Sequence, residues 1–263
     1  MAIKDLPAVA TRAAIRETAG RVLRFKEARA DNTEKIAELV MLRGNPAHLQ
    51  PEDFKRAADY LGLKDPATLH AVSDAESDGG GFDPDCAGRA LIAVECHSFS
   101  AATYHAWDVK RPDVSYPEYI KWERSKPPPK GMQQHPYTLK QDARWGLFVR
   151  QAELSIDGAL CALSVGRFQP LIGVTPAGKR AGRKPGWIEL GFASPEHMFR
   201  YLVASEYAQL EILHAFLVAH GLVRAFRERD WRTIARGYNG PANVEVYSAK
   251  MEKAWKARIR TYA

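Results

Sequence analysis

Cysteine is scarce: Cys86, Cys96 and Cys161 are the three in 263 residues, an odd number in no metal-type spacing. That excludes a disulfide framework and speaks against zinc, leaving reduced thiols of a structural kind and no expected cofactor. Long apolar runs are lacking as well. None approaches the ~20 residues of a membrane span, and Met1-Ala2-Ile3-Lys4-Asp5-Leu6-Pro7 opens no apolar signal region. The product is therefore expected to be made in the cytoplasm without a signal peptide. Acid is in deficit, with 31 Asp and Glu against 38 Lys and Arg, a formal net charge of +7. A basic balance favours an anionic partner: nucleic acid, an acidic membrane surface, or cell-wall and outer-membrane polymers. Nucleic acid is the poorest fit. The basic stretch Thr175 to Gly186 has no interleaved aromatics on which bases could stack, so it reads as a mobile surface loop. No internal repeat is visible.

Proline and glycine punctuate what is there. Residues from about Ala8 to Gly44 read as two helices turning at Asp31-Asn32, and Gln50-Pro51-Glu52-Asp53 starts a helix that stops at Gly62. Asp65-Pro66 starts the next, and Ser77-Asp78-Gly79-Gly80-Gly81 ends it, so it spans roughly Pro66 to Glu76. Leu69, Val72 and Glu76 share one stripe, which aims the carboxylate along the face to be buried. Burial penalises the ionised form, so such a carboxyl keeps its proton near neutral pH, as a general acid must. The plain alternative is a surface Glu at a helix end.

Leu91 to His97 reads as a buried strand that carries Glu95, with Ala93 and His97 on the same face, followed by a loop rich in Tyr, Pro and Trp as far as His135-Pro136. Leu139 to Leu163 has helical character. Ser194-Pro195-Glu196 caps a long amphipathic stretch that restarts near Ser205 and closes at Gly221. Asp230-Trp231 caps a short helix leading to Tyr238-Asn239-Gly240. The last helix, Ser248 to Tyr262, sets Met251, Trp255 and Ile259 on one stripe among basic residues; it either covers the core or meets an anionic outer-membrane surface. The pattern is α+β and mostly helical, with one small sheet.

Three separated pieces matter together: Glu76-Ser77 before a glycine turn, the Gly166-x-Phe168-Gln169 turn, and Tyr238-Asn239-Gly240. In this order they resemble goose-type lysozymes and lytic transglycosylases. The chain is more similar to the N-acetylmuramidase domain of phage and prophage endolysins, from about Leu49 to the end. The resemblance rests also on Asp53-Phe54-Lys55-Arg56-Ala57-Ala58, on Glu95-Cys96-His97-x-Phe99, on Arg111-Pro112-Asp113-Val114-Ser115 and on Asp230-Trp231 with Ala235-Arg236-Gly237-Tyr238-Asn239-Gly240-Pro241. The chain departs from that pattern at Asp78, where glycine is usual, at Val94, at Val165 and in the Thr175 to Gly186 insertion. An Asp78 carboxylate next to Glu76 would raise the acid's pKa further or disturb the turn.

The resemblance implies a lysozyme-like fold whose small β-sheet flanks an active-site cleft, with residues 1–48 as an N-terminal helical extension and 49–263 as the catalytic domain. It implies a muramidase that hydrolyses the bond between N-acetylmuramic acid and N-acetylglucosamine in peptidoglycan glycan strands, acting as a monomer on the wall in the periplasm after release. Glu76 is then the general acid and Glu95 the second carboxylate, as base for water or as nucleophile. Ser77, His97, Phe168, Gln169, Tyr238 and Asn239 are the expected substrate-binding residues, and no metal is expected. A lytic transglycosylase on the same bond is the alternative, and a non-catalytic wall-binding or virion module is the other.

Overall fold

The structure, a computed structural model, describes residues 32–120 and 126–262. It divides into two compact units. One holds the residues up to Arg43, Leu91–Val165 and Pro170–Tyr201; the other holds Gly44–Ala90, Gly166–Gln169 and Leu202–Ala263.

The second unit is helical. Its Pro51–Leu61 helix starts where the Gln50 amide donates to the Asp53 carboxylate at 2.8 Å, and it ends at Gly62, whose φ of 64° only glycine adopts cheaply. The helix bearing Glu76 runs Ala67–Ser77, within a residue of its expected span; Asp65 accepts the Ala67 N–H at 2.9 Å. Pro51–Leu61 and the C-terminal helix Val244–Arg258 pack on it, while Trp231–Asn239 packs on the C-terminal helix, Val223–Glu228 on Trp231–Asn239, and Glu206–Ala219 on Pro51–Leu61. Phe54, Leu69, Val72, Phe168, Phe226 and Met251 are fully buried in their shared core. Each such side chain contributes about 1.5–3 kcal/mol by leaving water. The expected restart at Ser205 is present: its hydroxyl accepts the Ala208 N–H and divides Pro195–Ala204 from Glu206–Ala219.

The first unit carries the sheet. Strand β1, Ile92–Val94, runs antiparallel to β2, Leu163–Val165, with Ile92 opposite Val165 and Val94 opposite Leu163. Two strands expose edges, and the Gln141 side chain covers one of them by exchanging hydrogen bonds with the backbone of Ile92 at 3.0 and 3.2 Å. Gln141 opens the Gln141–Ala152 helix, which with Ile156–Cys161 fills the helical stretch expected between Leu139 and Leu163. Trp145, Phe148 and Phe199 form its aromatic core.

Three expectations need correction or limits. The strand ends at Val94; Glu95 instead occupies the N-cap of a helix, Cys96–Ala102, so Glu95 and His97 share no strand face. The 175–186 insertion is partly ordered as helix, Pro176–Arg180, with a second helix from Gly186 to Glu189 that buries Trp187. Lys179 anchors it, donating to the Ala101 carbonyl at 3.1 Å over the Tyr104 ring. Of the two N-terminal helices, Asn32–Met41 is present, and the first lies outside the described residues.

Candidate active site

Glu76 lies in the last turn of its helix, beside the buried faces of Val72 and Ala75. Burial pushes its carboxyl up to about 7; the Asn239 amide and the Lys250 ammonium pull the other way without offsetting it. The helix C-terminus, with its partial negative charge, also disfavours a carboxylate there. Asn239 Nδ2 donates to Glu76 Oε1 at 3.0 Å, while Asn239 Oδ1 is buried without a hydrogen-bond partner. Tyr238, next in the chain, donates its hydroxyl to the Phe168 carbonyl at 2.5 Å. Tyr238 is thereby tied to the Gly166–Gln169 turn, under which Phe168 is buried.

Both turns near the acid are held by one buried network. Glu206 is fully buried and its two oxygens take four contacts: the Gly81 N–H at 2.8 Å, the Leu49 N–H at 2.8 Å, His48 Nδ1 at 3.1 Å and the Arg167 guanidinium at 2.5 Å. Arg167 also reaches Ser73 Oγ on the acid-bearing helix at 2.6 Å, and its backbone N–H donates to Gln209 at 2.7 Å. Gly81 and Gly166 are required by contact. A Cβ on Gly81 would meet Gln209 Oε1 at 2.4 Å, and one on Gly166, whose φ is 75°, would meet the same side chain at 2.3 Å. Gln169 turns inward, donating to the Gly166 carbonyl at 2.7 Å from a backbone φ of 48°. Ser77 bonds back into its own helix, to the Ser73 carbonyl at 3.3 Å.

Asp78, the departure next to the acid, takes the left-handed helix-ending conformation, φ 54°, with its side chain in solvent. That position explains why glycine is favoured there. The groups that act on the Glu76 carboxyl are Asn239 and Lys250, so the expected push from Asp78 does not arise.

Glu95 sits in the other unit. Burial pushes its carboxyl up to about 7 as well, opposed by a hydrogen bond from the Tyr137 hydroxyl and by the charge of Arg144. His97 Nδ1 lies 3.6 Å from Glu95 Oε2; burial lowers its pKa to about 4, so the imidazole is neutral. Its ring meets Tyr119 edge-on at 5.5 Å.

The structure thus gathers Glu76, Ser77, Phe168, Gln169, Tyr238 and Asn239 within one unit and pairs Glu95 with His97 in the other. Reading the sequence misses Arg167, Glu206, Gln209, Lys250 and Tyr137. Glu206 follows a capping Ser and reads as an ordinary first-turn acid, and Arg167 is one unmarked position of a turn.

Helices with a two-stranded antiparallel sheet, and a proton-holding glutamate at a helix end, define a lysozyme-like enzyme of the bacterial wall. The chain belongs to the N-acetylmuramidase family, whose model matches residues 65–258. It is a peptidoglycan-degrading muramidase. Among solved structures it is similar to the crystal structure of Burkholderia AP3 phage endolysin, at 29% sequence identity and a TM-score of 0.61, over 83% of this chain and 73% of that one. No curated protein matches it.

Proposed function

We propose that the chain is a glycoside hydrolase that cleaves between N-acetylmuramic acid and N-acetylglucosamine, with Glu76 as general acid. The observation that carries this is the Glu76 carboxyl, raised to about 7 by burial and hydrogen-bonded to Asn239 at 3.0 Å. Cleavage needs a proton on the leaving oxygen as the sugar carbon gains oxocarbenium character, and a carboxyl protonated near neutral pH supplies it. The proton leaves Glu76 with the departing sugar's hydroxyl. The Asn239 amide then stabilises the carboxylate that remains.

Glu95 is the second carboxylate of this reading. In its ionised fraction it takes the proton of the attacking water, and neutral His97 beside it orients without charge. Tyr238, Asn239, Ser77 and Gln169 contact the sugar, and Phe168 supports their turn. Residues 49–263 form the catalytic domain in this reading and 1–48 an extension; the protein acts as a monomeric endolysin on the wall. Among the described residues no helix is long and apolar enough to cross a membrane. Contact with an anionic outer membrane would fall to Lys253, Lys256 and Arg260, which are exposed on and just after the C-terminal helix.

Digesting Gram-negative sacculi and weighing the released muropeptides tests the reaction. Reducing muramic ends that vanish with Glu76→Gln are the expected result; anhydromuramic ends would replace hydrolysis with transglycosylation.

A further inference from the structure

The C-terminal helix carries its basic residues in a pattern that suggests a solvent-facing stripe, yet several of its polar side chains, and that of Tyr262 just beyond it, reach the Ala67–Ser77 helix or Asp65 just before it. Trp255 Nε1 donates to Asp65 at 2.5 Å, the Tyr262 hydroxyl meets His70 Nδ1 at 2.8 Å, and Arg258 grips Asp74 at 2.6 and 3.1 Å. Lys250 completes the series, donating its ammonium to the Ala75 carbonyl. These contacts follow the Ala67–Ser77 helix from its start to its last turn. Met251, beside Lys250, is fully buried in the same core, which fixes the stem of that contact.

We propose that Lys250 is a positioning residue for glycoside cleavage: it pins the final turn of the acid-bearing helix and holds a positive charge beside Glu76. The inference rests on the reading of Glu76 as the general acid. Ala75 directly precedes Glu76, so the bond that fixes its carbonyl fixes where the acid's Cα stands. A cation at a helix C-terminus is also favourable in itself, since it meets the carbonyls left without partners there.

The other charges around Glu76 are already engaged or remote. Arg258 is committed to Asp74, and Arg167 to Glu206. From the Trp231–Asn239 helix come the Asn239 amide and the Tyr238 phenol, which burial and, less strongly, the Glu76 charge keep protonated. From the Pro51–Leu61 helix, Phe54 stacks on His70, more than a turn before the acid. Asp78 is in solvent. Lys250 is the cation among the described residues whose charge favours the Glu76 carboxylate. Its consequence for the reaction is a limit on how firmly the acid holds its proton. Without it, the leaving oxygen would meet a weaker acid that stays protonated to higher pH.

The test is the pH dependence of muropeptide release from sacculi at low substrate, for wild type, Lys250→Met, Lys250→Gln and Lys250→Arg, with Glu76→Gln alongside. The alkaline limb reports loss of the acid's proton. Removing a neighbouring positive charge should move that limb up by roughly half a pH unit in Lys250→Met, and Lys250→Arg should restore it. Lys250→Gln can still donate a hydrogen bond but carries no charge; it should move the limb while the thermal midpoint stays closer to wild type, and it carries the test if the Met variant does not fold. A limb that coincides with wild type in the uncharged variants overturns the inference. If Glu76→Gln still cleaves sacculi, the reading of Glu76 fails first; if it is dead and the limb has not moved, only the role of Lys250 fails.

Discussion

Glu76 and Glu95 both hold a proton more tightly than an ordinary carboxyl, and they do so in different settings. Glu76 lies at the C-terminal end of an 11-residue helix, where the helix field opposes its charge, and its partners are an amide and an exposed lysine. Glu95 stands at the N-terminal end of a 7-residue helix, where the field favours its charge, and its partners are a phenol and a partly buried guanidinium. Burial overrides both settings and pushes each carboxyl up to about 7. The difference teaches which group is better suited to which task. At Glu95 the Tyr137 hydroxyl donates to the carboxylate and the charge of Arg144, whose guanidinium is bonded to the carbonyls of Leu139, Ile92 and Tyr137, favours the ionised form, whereas Glu76 sits at a helix end that favours the neutral one.

Exchanging each carboxyl for an amide is the strongest way to break this comparison. With Glu76 as the general acid, Glu76→Gln should lower the rate of muropeptide release by about a thousandfold. Circular dichroism of that variant should match wild type.

Glu95→Gln should cost less, on the order of a hundredfold, the share usually lost with a general base. Because the base must be ionised and the acid protonated, and both titrate near 7, the wild-type profile should be a narrow bell centred there. Glu95→Gln should flatten its acid limb and leave the alkaline one. A broad plateau on either side of neutrality would break the pairing.

Stability against pH sharpens the comparison further. Each carboxyl titrates higher in the folded chain than its ordinary value of 4.5, so its stabilising contribution is complete below 4.5 and is lost as pH rises towards about 7. Above that window both amide variants should be more stable than wild type, by on the order of 1–3 kcal/mol, and near pH 4 they should not. Urea denaturation at the two pH values reads the difference. A gain confined to one variant would show that the two sites are not equally desolvated.

The smallest expected effect concerns the helix ends themselves. Asp78 occupies a left-handed position that glycine fills without strain, so Asp78→Gly should stabilise by about 0.5–1 kcal/mol and leave the alkaline limb unmoved. A shift of that limb would mean that Asp78 acts on Glu76 after all.

The helix that carries Glu76 was legible because its stops are local: a first-turn proline, then a run of glycines. The small sheet was legible only in part. Within the apolar run, Ile92–Val94 forms β1, but Cys96–Ala102 packs as a helix against Ile156–Cys161, a choice that a short apolar run does not encode. The buried network was not legible at all. Arg167 and Glu206 are 39 residues apart, and Glu206 and Gly81 are 125 apart. Each looks ordinary until the chain brings them together. Lys250 was hidden for another reason: on a helix with so many basic residues, nothing local distinguishes the one that reaches the Ala75 carbonyl.

The central claim is that burial leaves Glu76 holding its proton near neutral pH. A titration of carbon-13-labelled glutamate carboxyls by nuclear magnetic resonance, with the Glu76 signal assigned by its absence in Glu76→Gln, measures this directly. A midpoint near 7 is the predicted result, and a midpoint at the ordinary 4.5 would contradict the account.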